Sequence, residues 1–250
     1  IIFKPEYFPR LDVVASSWQY HWFEGNLQKD LLQTLKRVVI SFILAMFVGV
    51  LMGIMMGRVK RTDQILEPLL LFFLNLPALV TIILCYIWIG LEETAAVLAV
   101  FINKLPTVIV AMREGARVID NRLMEVARVY KLPHSRTFFK IFLPQLYPYI
   151  LAAARNGLAL IWKIVLVVEL LGRSDGIGFG LHTFFGHFDI ASILAYAFSF
   201  MLVMFSIDWF VFKPLEMSRS SFVNPLPAKH RNIAVFFGRT FTDLDYLVFT

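Results

Sequence analysis

The sequence predicts an all-α, polytopic membrane protein, a bundle of helices that cross a bilayer. Of its 250 residues, 58% are apolar. These residues are clustered in runs that match the roughly 20-residue helix needed to cross a bilayer core. Backbone amides in lipid must be paired within their own segment, so the runs are expected to be helices. They lack the alternating polarity of barrel strands, which argues against a β-barrel.

Five apolar runs define the predicted spans. In chain order they cover residues 38–57, 67–90, 93–112, 146–171 and 190–212. Leu27, Leu31 and Leu35 recur at helical spacing just before the first run. This periodicity predicts an amphipathic helix that leads directly into the first span.

The distribution of positive charge predicts the topology. Lys and Arg are concentrated after the first run, between the third and fourth runs and after the last run. Because cytoplasmic loops are rich in Lys and Arg, we expect the loop 113–145 and the C-terminus to be cytoplasmic. Lys36 and Arg37 depart from this pattern, because both would lie at the outer end of the first span. The net charge of +6 belongs to these loops, so nucleic acid is not an expected partner.

The domain organisation follows from the spans and the charge. We expect an extracytoplasmic segment with an interfacial helix, 1–37, a transmembrane domain, 38–213, and a cytoplasmic tail, 214–250. Within the first span, Gly49, Gly53 and Gly57 repeat every fourth residue. Such spacing lets helix backbones approach closely. Two interpretations stay open, namely packing within the chain and a face for dimerisation.

Polar and helix-breaking residues within the spans are candidates for a path through the membrane. Pro77 and Pro106 lack an amide donor and are expected to kink their helices, which is tolerated where protein or a cavity meets the freed carbonyl. Ionisable side chains at this depth either have partners on neighbouring helices or line a path for a substrate. The candidate path residues are Asn75, Pro77, Lys104, Arg155, Lys163 and Glu169.

Other motifs argue against catalysis by this chain. The phosphate loop GxxxxGK[ST] does not occur, so the chain is not expected to hydrolyse ATP. The segment Gly176-Ile-Gly178-Phe-Gly180 lacks the flanking strand and helix of a nucleotide loop and is interpreted as a turn or a re-entrant corner. The single cysteine, Cys85, excludes an intramolecular disulfide. No metal is expected.

The polar loop 113–145 is predicted to form two short helices joined by an elbow. The first carries an apolar stripe at i, i+3, i+4 and i+7, formed by Leu123, Val126, Ala127 and Tyr130. It ends at Leu132, because the residue before Pro133 is pushed out of the helical conformation. Ser135 is expected to cap the second helix, one side of which is buried through Phe138, Phe139 and Phe142. Since both ends are tied to spans, the tip is suited to bind in a groove on another protein.

The loop resembles the EAA signature of bacterial ABC-importer permeases: Glu-Ala-Ala, three residues, Gly, nine residues, then Ile-x-Leu-Pro. The residues that match at this spacing are Glu125, Ala127, Ile141, Leu143 and Pro144. Val126 replaces the middle Ala, and Lys131 stands at the Gly position. Glycine there allows the left-handed conformation of a helix end. Lysine adopts it less readily, although its charge suits a helix C-terminus.

Further motifs resemble the nitrate/sulfonate/taurine branch of these permeases. They are Thr34-Leu-Lys-Arg-Val, Asn75-Leu-Pro77, Trp88-Ile-Gly-Leu-Glu-Glu93, Val168-Glu169 and Gly176-Ile-Gly178. The resemblance covers residues 12–214 and implies the fold of a type I, MetI-like ABC-importer permease. Members usually have six spans, so a first span is expected to precede Ile1.

The resemblance implies the membrane subunit of an ATP-driven importer for a small anion, such as a sulfonate, nitrate or a taurine-like solute, in a bacterial inner membrane. The implied partners are a second copy of the chain, a cytoplasmic ATPase that holds ATP and Mg, an extracytoplasmic solute-binding protein and membrane lipid. No cofactor is implied for the chain itself. The residues implied to contact the ATPase are Glu125, Val126, Ala127, Arg128, Lys131, Leu132, Pro133, Ile141, Leu143 and Pro144.

A stand-alone secondary transporter or channel is the main alternative. Such a protein is expected to carry its own coupling-ion site, often with broken helices and internal repeats. The sequence has proline kinks but no convincing repeat. A membrane-embedded enzyme is a further alternative, and its candidate metal ligands are His182, His187 and Asp189.

Overall fold

The computed structural model describes residues 9–214, and every regular element in that range is a helix. The all-α class predicted from the sequence is therefore confirmed. The α-helices are α1 (Leu11–Phe23), α2 (Leu27–Arg58), α3 (Lys60–Asn75), α4 (Ala78–Ile89), α5 (Glu93–Arg117), α6 (Asn121–Val129), α7 (His134–Thr137), α8 (Leu143–Gly172), α9 (Ile177–Gly186) and α10 (Ile190–Ile207). A π-helical segment, Phe138–Phe142, joins α7 to α8. The predicted tail lies outside the described residues from position 215 onward.

Within residues 9–214, four helical stretches have the length and apolar composition to cross a membrane. They are Leu27–Arg58, Glu93–Arg117, His134–Gly172 and Ile190–Val211. These correspond to the first, third, fourth and fifth predicted spans, and the first three of them extend beyond the predicted bounds. In α2 the predicted amphipathic helix and the first span form one continuous helix.

The second predicted span, 67–90, is not a single helix. The axes of α3 and α4 are bent by 96°. Leu76 between them is extended, with φ −74° and ψ 122°, because the ring of Pro77 disfavours the helical conformation of the preceding residue. The kink predicted at Pro77 is thus a complete break, and α3 and α4 form a broken span or a re-entrant loop.

The glycines of the first span lie where α2 packs closely against α5. A Cβ built on Gly49 would lie 2.6 Å from the Val108 side chain, and one built on Gly53 would overlap Met112. One turn further on, a Cβ built on Gly57 would likewise lie 2.6 Å from the side chain of Ala116 in α5. Real Cβ atoms do not come this close to other atoms, so only glycine permits this contact. Of the two interpretations of the glycine spacing, packing within the chain is the one the structure supports.

The main core lies where α2, α4, α5 and α8 meet. Its buried residues include Val38, Ile82, Ala99 and Ile161, and the single cysteine, Cys85, is buried among them. These residues come from helices that are far apart in the chain, so their apolar faces define the centre of the bundle.

Ion pairs hold α3 against the end of α5 that leads into the loop 113–145. Arg113 donates to Asp63 and to Glu67 at 2.9 Å each. Arg117 also forms an ion pair with Asp63. These contacts fix the direction in which α5 continues into the loop.

The described residues from Ile207 to 214 belong to a second unit of the chain. Its described part contains the π-helical turn Asp208–Phe212. Within this unit, Lys213 Nζ lies 3.2 Å from the centroid of the Trp209 ring, which is a cation–π contact.

Candidate coupling loop and translocation path

The first helix of the loop, α6, has capping hydrogen bonds at both ends. Its N-cap residue, Asp120, accepts a hydrogen bond from the amide of Arg122 at 2.8 Å, which satisfies one of the unpaired donors of the first turn. At the other end, the amide of Leu132 donates to the carbonyl of Ala127 at 2.9 Å, and the amide of Lys131 donates to a carbonyl three residues earlier at 3.0 Å. These two bonds form a Schellman motif, a common way to end a helix.

Lys131 closes this motif in the left-handed conformation, with φ 49°. Glycine adopts that conformation without strain, whereas a side chain makes it unfavourable by about 1–2 kcal/mol. The backbone at Lys131 therefore has the conformation that glycine would give at this position of the signature. Lysine at the glycine position of the signature therefore leaves the turn in place.

The apolar stripe predicted on α6 is mostly exposed. Only Ala127 is buried, at 2% exposure, whereas Val126 and Tyr130 are 50% and 76% exposed. Glu125 and Arg128 are also exposed. The helix thus presents apolar side chains among charged ones, a surface of the kind that a partner protein covers.

The second helix of the loop differs from the prediction in two respects. Pro133 occupies the N-cap position of α7, and Ser135 makes no capping bond, because it lies inside the helix and not at its cap. The predicted cap is therefore wrong. Phe142 is 6% exposed, but Phe138 and Phe139 are 42% and 64% exposed. The predicted burial is wrong for these two residues, since the π-helical turn changes the angular spacing of the three rings.

α7 continues through the π-helical segment into α8, so His134–Gly172 is one helical stretch of 39 residues. Pro144 lacks an amide N–H and cannot donate to the carbonyl four residues earlier. The Gln145 side chain donates to the carbonyl of Ile141 at 3.0 Å and accepts from the amide of Asp120 at 2.9 Å. Gln145 thereby ties the base of α8 to the start of α6.

A small apolar core anchors the loop on the membrane helices. Met124 of α6 packs against three buried residues, Ile119, Phe142 and Leu146. Arg58, the last residue of α2, donates to Asn121 Oδ1 at 3.1 Å, and its guanidinium carbon lies 5.8 Å from the centroid of the Phe142 ring. The loop is therefore in direct contact with α2 and α8, and it continues α5.

The remaining residues implied to contact the ATPase lie at or near the surface. Lys131, Pro133 and Pro144 are exposed, and three others are partly buried, namely Leu132, Ile141 and Leu143. The set therefore extends from α6 across the elbow to the base of α8.

Two of the candidate path residues flank the break between α3 and α4. Asn75 and Pro77 are both exposed. The Asn75 side chain donates to the carbonyl of Leu71 at 2.7 Å, and so satisfies one carbonyl near the break. An open cavity of about 350 Å³ lies here, lined by Pro68, Leu71, Phe72, Asn75, Leu76 and Pro77.

Three further candidates lie on α5 and α8. Lys104 of α5 is 3% exposed, and its side chain lies against Gly157 of α8. Arg155 and Lys163 are exposed on α8. The contact at Gly157 therefore places the Lys104 side chain next to the stretch of α8 that lies between Arg155 and Lys163.

The sixth candidate, Glu169, is fully buried in an ion network. Its carboxylate accepts a hydrogen bond from Arg37 at 2.8 Å, and it accepts from the Thr34 hydroxyl and the Gly178 amide at 2.9 Å each. Arg37, 1% exposed, also forms ion pairs with two other carboxylates, those of Glu93 and Asp175. One guanidinium thus links α2, α5, α8 and the segment before α9.

Asp30 and Thr34 extend this network to the start of α9. Asp30 accepts from the amide of Gly176 at 2.9 Å and from the Tyr196 hydroxyl at 3.1 Å. Thr34 Oγ1 accepts from the amide of Ile177 at 2.9 Å. The first amides of α9, which have no partner within their own helix, are therefore satisfied by side chains of other helices.

The sequence contained one sign of this network, the departure of Arg37 from the charge pattern. Its charge is neutralised inside the bundle and does not contribute to the charge of a loop. Asp30, Thr34 and Arg37 also recur at helical spacing, which places three polar side chains on one face of α2. Nothing in the sequence pairs Arg37 with Glu169, which lies 132 residues further along the chain.

The end of the bundle that carries this network also holds α1. His21 Nε2 lies 2.8 Å from Ser192 Oγ, and the ring packs against Phe184 and Tyr196. Burial lowers the pKa of His21, and the nearby charge of Asp189 offsets part of that shift.

The histidine and aspartate residues considered as metal ligands are not brought together as a metal site. Asp189 accepts hydrogen bonds from the amide and the hydroxyl of Ser192. Within residues 9–214, no group of three or more His, Cys, Asp or Glu side chains is placed to hold a metal ion.

This helical bundle has the fold of a MetI-like ABC-importer permease. It matches a chain of the inward-facing MetNI methionine ABC transporter with a TM-score of 0.64, over 74% of this chain and 93% of that one, at 14% identity. A match to a crystal structure of an amino acid ABC transporter with histidines has a TM-score of 0.55 over 83% and 97% of the two chains, at 20% identity. At these identities the likeness concerns the fold alone.

Residues 45–212 match the family of binding-protein-dependent transport system inner membrane components, and the chain belongs to this family. A probable ABC transporter permease protein of Brucella melitensis is 27% identical over 169 residues, which are 68% of this chain and 69% of the relative. The putative aliphatic sulfonates transport permease protein SsuC of Bacillus subtilis is 32% identical over 155 residues, 62% and 56% of the two chains.

A third relative, the nitrate import permease protein NrtB of Synechocystis sp., is 29% identical over 156 residues, 62% of this chain and 57% of the relative. The chain thus spans little more than half the length of the sulfonate and nitrate permeases. These relatives belong to the nitrate/sulfonate/bicarbonate branch of ABC permeases, as the motifs of the sequence predicted. They are permease components and not enzymes.

Proposed function

We propose that this chain is the membrane-spanning subunit of an ATP-driven importer for a small anion, and that it couples to a separate ATPase through the loop 113–145. It would act as a homodimer in the inner membrane, with the loop and the C-terminus in the cytoplasm and with solute delivered by a binding protein on the outer side. ATP and Mg would be bound by the ATPase. Relatives named for sulfonates, nitrate and bicarbonate support an anion as the solute.

The observation that carries the coupling proposal is the geometry of α6. Its outer face exposes Val126 and Tyr130 among charged side chains, while Ala127 and Met124 lie toward the bundle. A groove on a soluble partner would cover the outer face and remove its apolar area from water. Because the loop contacts α2 and α8 and continues α5, movement of that groove would act on three spans at once.

ATP would drive transport by favouring one arrangement of the ATPase pair. If ATP binds better to the closed pair, it shifts the whole assembly toward the membrane conformation that fits this pair. The chain itself would supply the path and the mechanical link.

Charge reversal on α6 tests the coupling. Glu125→Arg and Arg128→Glu should each lower ATP-driven uptake by at least about tenfold, because they place repulsive charge in the interface. The thermal stability of the chain should stay unchanged, since both side chains are exposed. Arg61→Glu, an exposed reversal outside the loop, is the matched control. Normal uptake by both α6 variants would exclude α6 as the docking site.

We also propose that the break between α3 and α4 lines the translocation path. Irregular backbone is tolerated at membrane depth only where protein covers it or where it lines a water-filled cavity. Leu70 is the only buried residue of α3, so the described residues leave the break at Asn75 and Pro77 uncovered. Arg155 and Lys163 on α8 are included in the proposed path. The proposal does not depend on Glu169, whose carboxylate is bonded within the ion network.

Cysteine labelling tests the path without any transport measurement. The buried Cys85 is first replaced by serine, and a cysteine is then introduced as Asn75→Cys or, for comparison, as Phe47→Cys in the unbroken α2. Phe47 is 66% exposed and is expected to face lipid. A charged, membrane-impermeant thiol reagent should modify the cysteine at 75 at least about tenfold faster, because the thiolate reacts only where water reaches it. Equal rates would contradict the proposal.

Reconstitution distinguishes the importer from a stand-alone transporter. Liposomes that contain only this chain should not accumulate nitrate or taurine under an ion gradient. Uptake by the chain alone would contradict the ATP-driven proposal and would support secondary transport.

A further inference from the structure

Lys104 is a buried cation that has no partner of opposite charge among the described residues. It is one of four buried Asp, Glu, Lys or Arg side chains among the described residues, and the others are Asp30, Arg37 and Glu169. Each of those three is bonded to opposite charge or to polar donors. In the described part of the chain, Lys104 Nζ forms no hydrogen bond and no ion pair.

The Lys104 side chain lies across α8 at Gly157. A Cβ built on Gly157 would lie 3.2 Å from Lys104 Cε and 4.0 Å from Nζ, with the Phe42 ring 3.5 Å away. Three side-chain polar atoms in residues 9–214 are sealed from solvent and form no hydrogen bond, although each lies near an opposite charge: Asp63 Oδ1 and Arg113 Nε, which form an ion pair with each other, and Arg173 Nε, 3.7 Å from Asp175 Oδ1. Lys104 Nζ is not among them, so the accessible part of this side chain includes the ammonium.

The surrounding helices carry no negative charge at this depth. On α5 no Asp or Glu occurs between Glu93 and Glu114, and on α8 none occurs before Glu169. Lys163 adds a further positive charge to α8. An ammonium at membrane depth is costly unless it is paired, and such groups mark substrate pathways. A counter-charge for a protonated Lys104 would therefore have to come from a bound anion or from outside the described part of the chain.

We infer that Lys104 binds the transported anion, and that the glycine at 157 provides the space for this contact. The inference rests on the proposed function and adds the residue that recognises the solute's charge. An ammonium has three N–H donors and no acceptor, which suits the oxygens of a nitrate, a sulfonate or a bicarbonate ion. Binding would supply the counter-charge that the bundle lacks.

Anion-dependent thermal stability of the purified full chain tests this inference. Unfolding is followed in sodium nitrate, sodium ethanesulfonate or sodium bicarbonate, against sodium gluconate at the same ionic strength. Because a ligand that binds only the folded state stabilises it, at least one of the three anions should raise the Tm by about 3–6 °C at about ten times its Kd. Lys104→Met should abolish the rise, whereas Lys60→Met, at an exposed lysine of α3, should keep it.

The Tm in gluconate distinguishes a binding role from a structural one. Removal of an unpaired buried charge is neutral or stabilising, so Lys104→Met should unfold at the wild-type temperature or above it. Gly157→Ala should reduce the anion effect, because its Cβ would displace the lysine chain. The inference is overturned if no anion stabilises the wild type, if Lys104→Met keeps the anion effect, or if it lowers the Tm in gluconate.

This measurement needs no ATPase, so it is independent of the test of the proposed function. ATP-driven uptake together with an absent anion effect would refute only the role of Lys104. If the anion effect is lost in Lys104→Met but the chain transports solute without an ATPase, only the ATP-driven function is refuted.

Discussion

Replacing Arg37 by methionine should destabilise the bundle more than any other single change to its polar residues. Methionine fills a similar volume but leaves the carboxylate of Glu169 without its cation. Glu169 is fully buried and cannot regain water, whereas Glu93 and Asp175, at 35% and 37% side-chain exposure, can do so. The loss of stability in Arg37→Met is therefore set mainly by the uncompensated charge of Glu169.

The expected magnitude follows from that burial. Removing one partner of a buried ion pair costs about 3–5 kcal/mol. For a chain of this size, each kcal/mol of change in the free energy of unfolding shifts the Tm by about 2–4 °C. Arg37→Met should therefore lower the Tm by about 6–20 °C, measured by tryptophan fluorescence of the purified chain.

Two further variants make this prediction refutable. Lys36→Met removes the neighbouring, exposed lysine and should change stability by no more than about 0.5 kcal/mol. Adding Glu169→Gln to Arg37→Met should restore much of the loss, because the neutral amide oxygen still accepts from Thr34 and Gly178. If Arg37→Met unfolds at the same temperature as Lys36→Met, the network does not stabilise the fold. If the double variant is no more stable than Arg37→Met, the buried charge is not the cause.

Three other predictions concern single positions and use the same unfolding assay. Lys131→Gly should raise the free energy of unfolding by about 0.5–1 kcal/mol, because glycine adopts the left-handed conformation without strain. Gly53→Ala should lower it by about 1–3 kcal/mol, because the added Cβ would overlap Met112 and come within 2.8 Å of a carbonyl oxygen of α5. His21 has a lowered pKa in the folded state, so below about pH 6.5 the unfolded chain binds more protons. Stability should then fall as the pH falls.

Each of these predictions has a control variant or an outcome that would contradict it. Gly186→Ala, with open space around the added Cβ, should be close to neutral, and a similar loss for Gly53→Ala and Gly186→Ala would argue against close packing of α2 on α5. A destabilised Lys131→Gly variant would show that the lysine side chain stabilises the elbow. His21→Gln should weaken the pH dependence, and an unchanged profile would assign it to other groups.

The sequence predicted those features that depend on local chemistry. Apolar runs located the spans, and Leu132-Pro133 located the elbow, because proline acts on the residue next to it. The extent of the break at Pro77 was not predictable, since the run 67–90 is apolar on both sides of the proline and local rules give no angle. The network around Arg37 was also missed, because it joins residues that only tertiary packing brings together. The exposed positions of Phe138 and Phe139 depend on a π-helical turn that ordinary helical periodicity does not anticipate.

The base of α8 is poor in main-chain hydrogen bonds. Pro144 and Pro148 both lack a donor, and they follow the π-helical turn, so bending is easiest there. From Tyr149 to Glu169 the helix is uninterrupted, a rod of about 30 Å at 1.5 Å per residue. A rotation of about 10° at the base would move Glu169 by about 5 Å, which is more than the reach of a hydrogen bond. As long as Glu169 stays bonded to Arg37, α8 therefore cannot swing alone and carries α2 with it as one body.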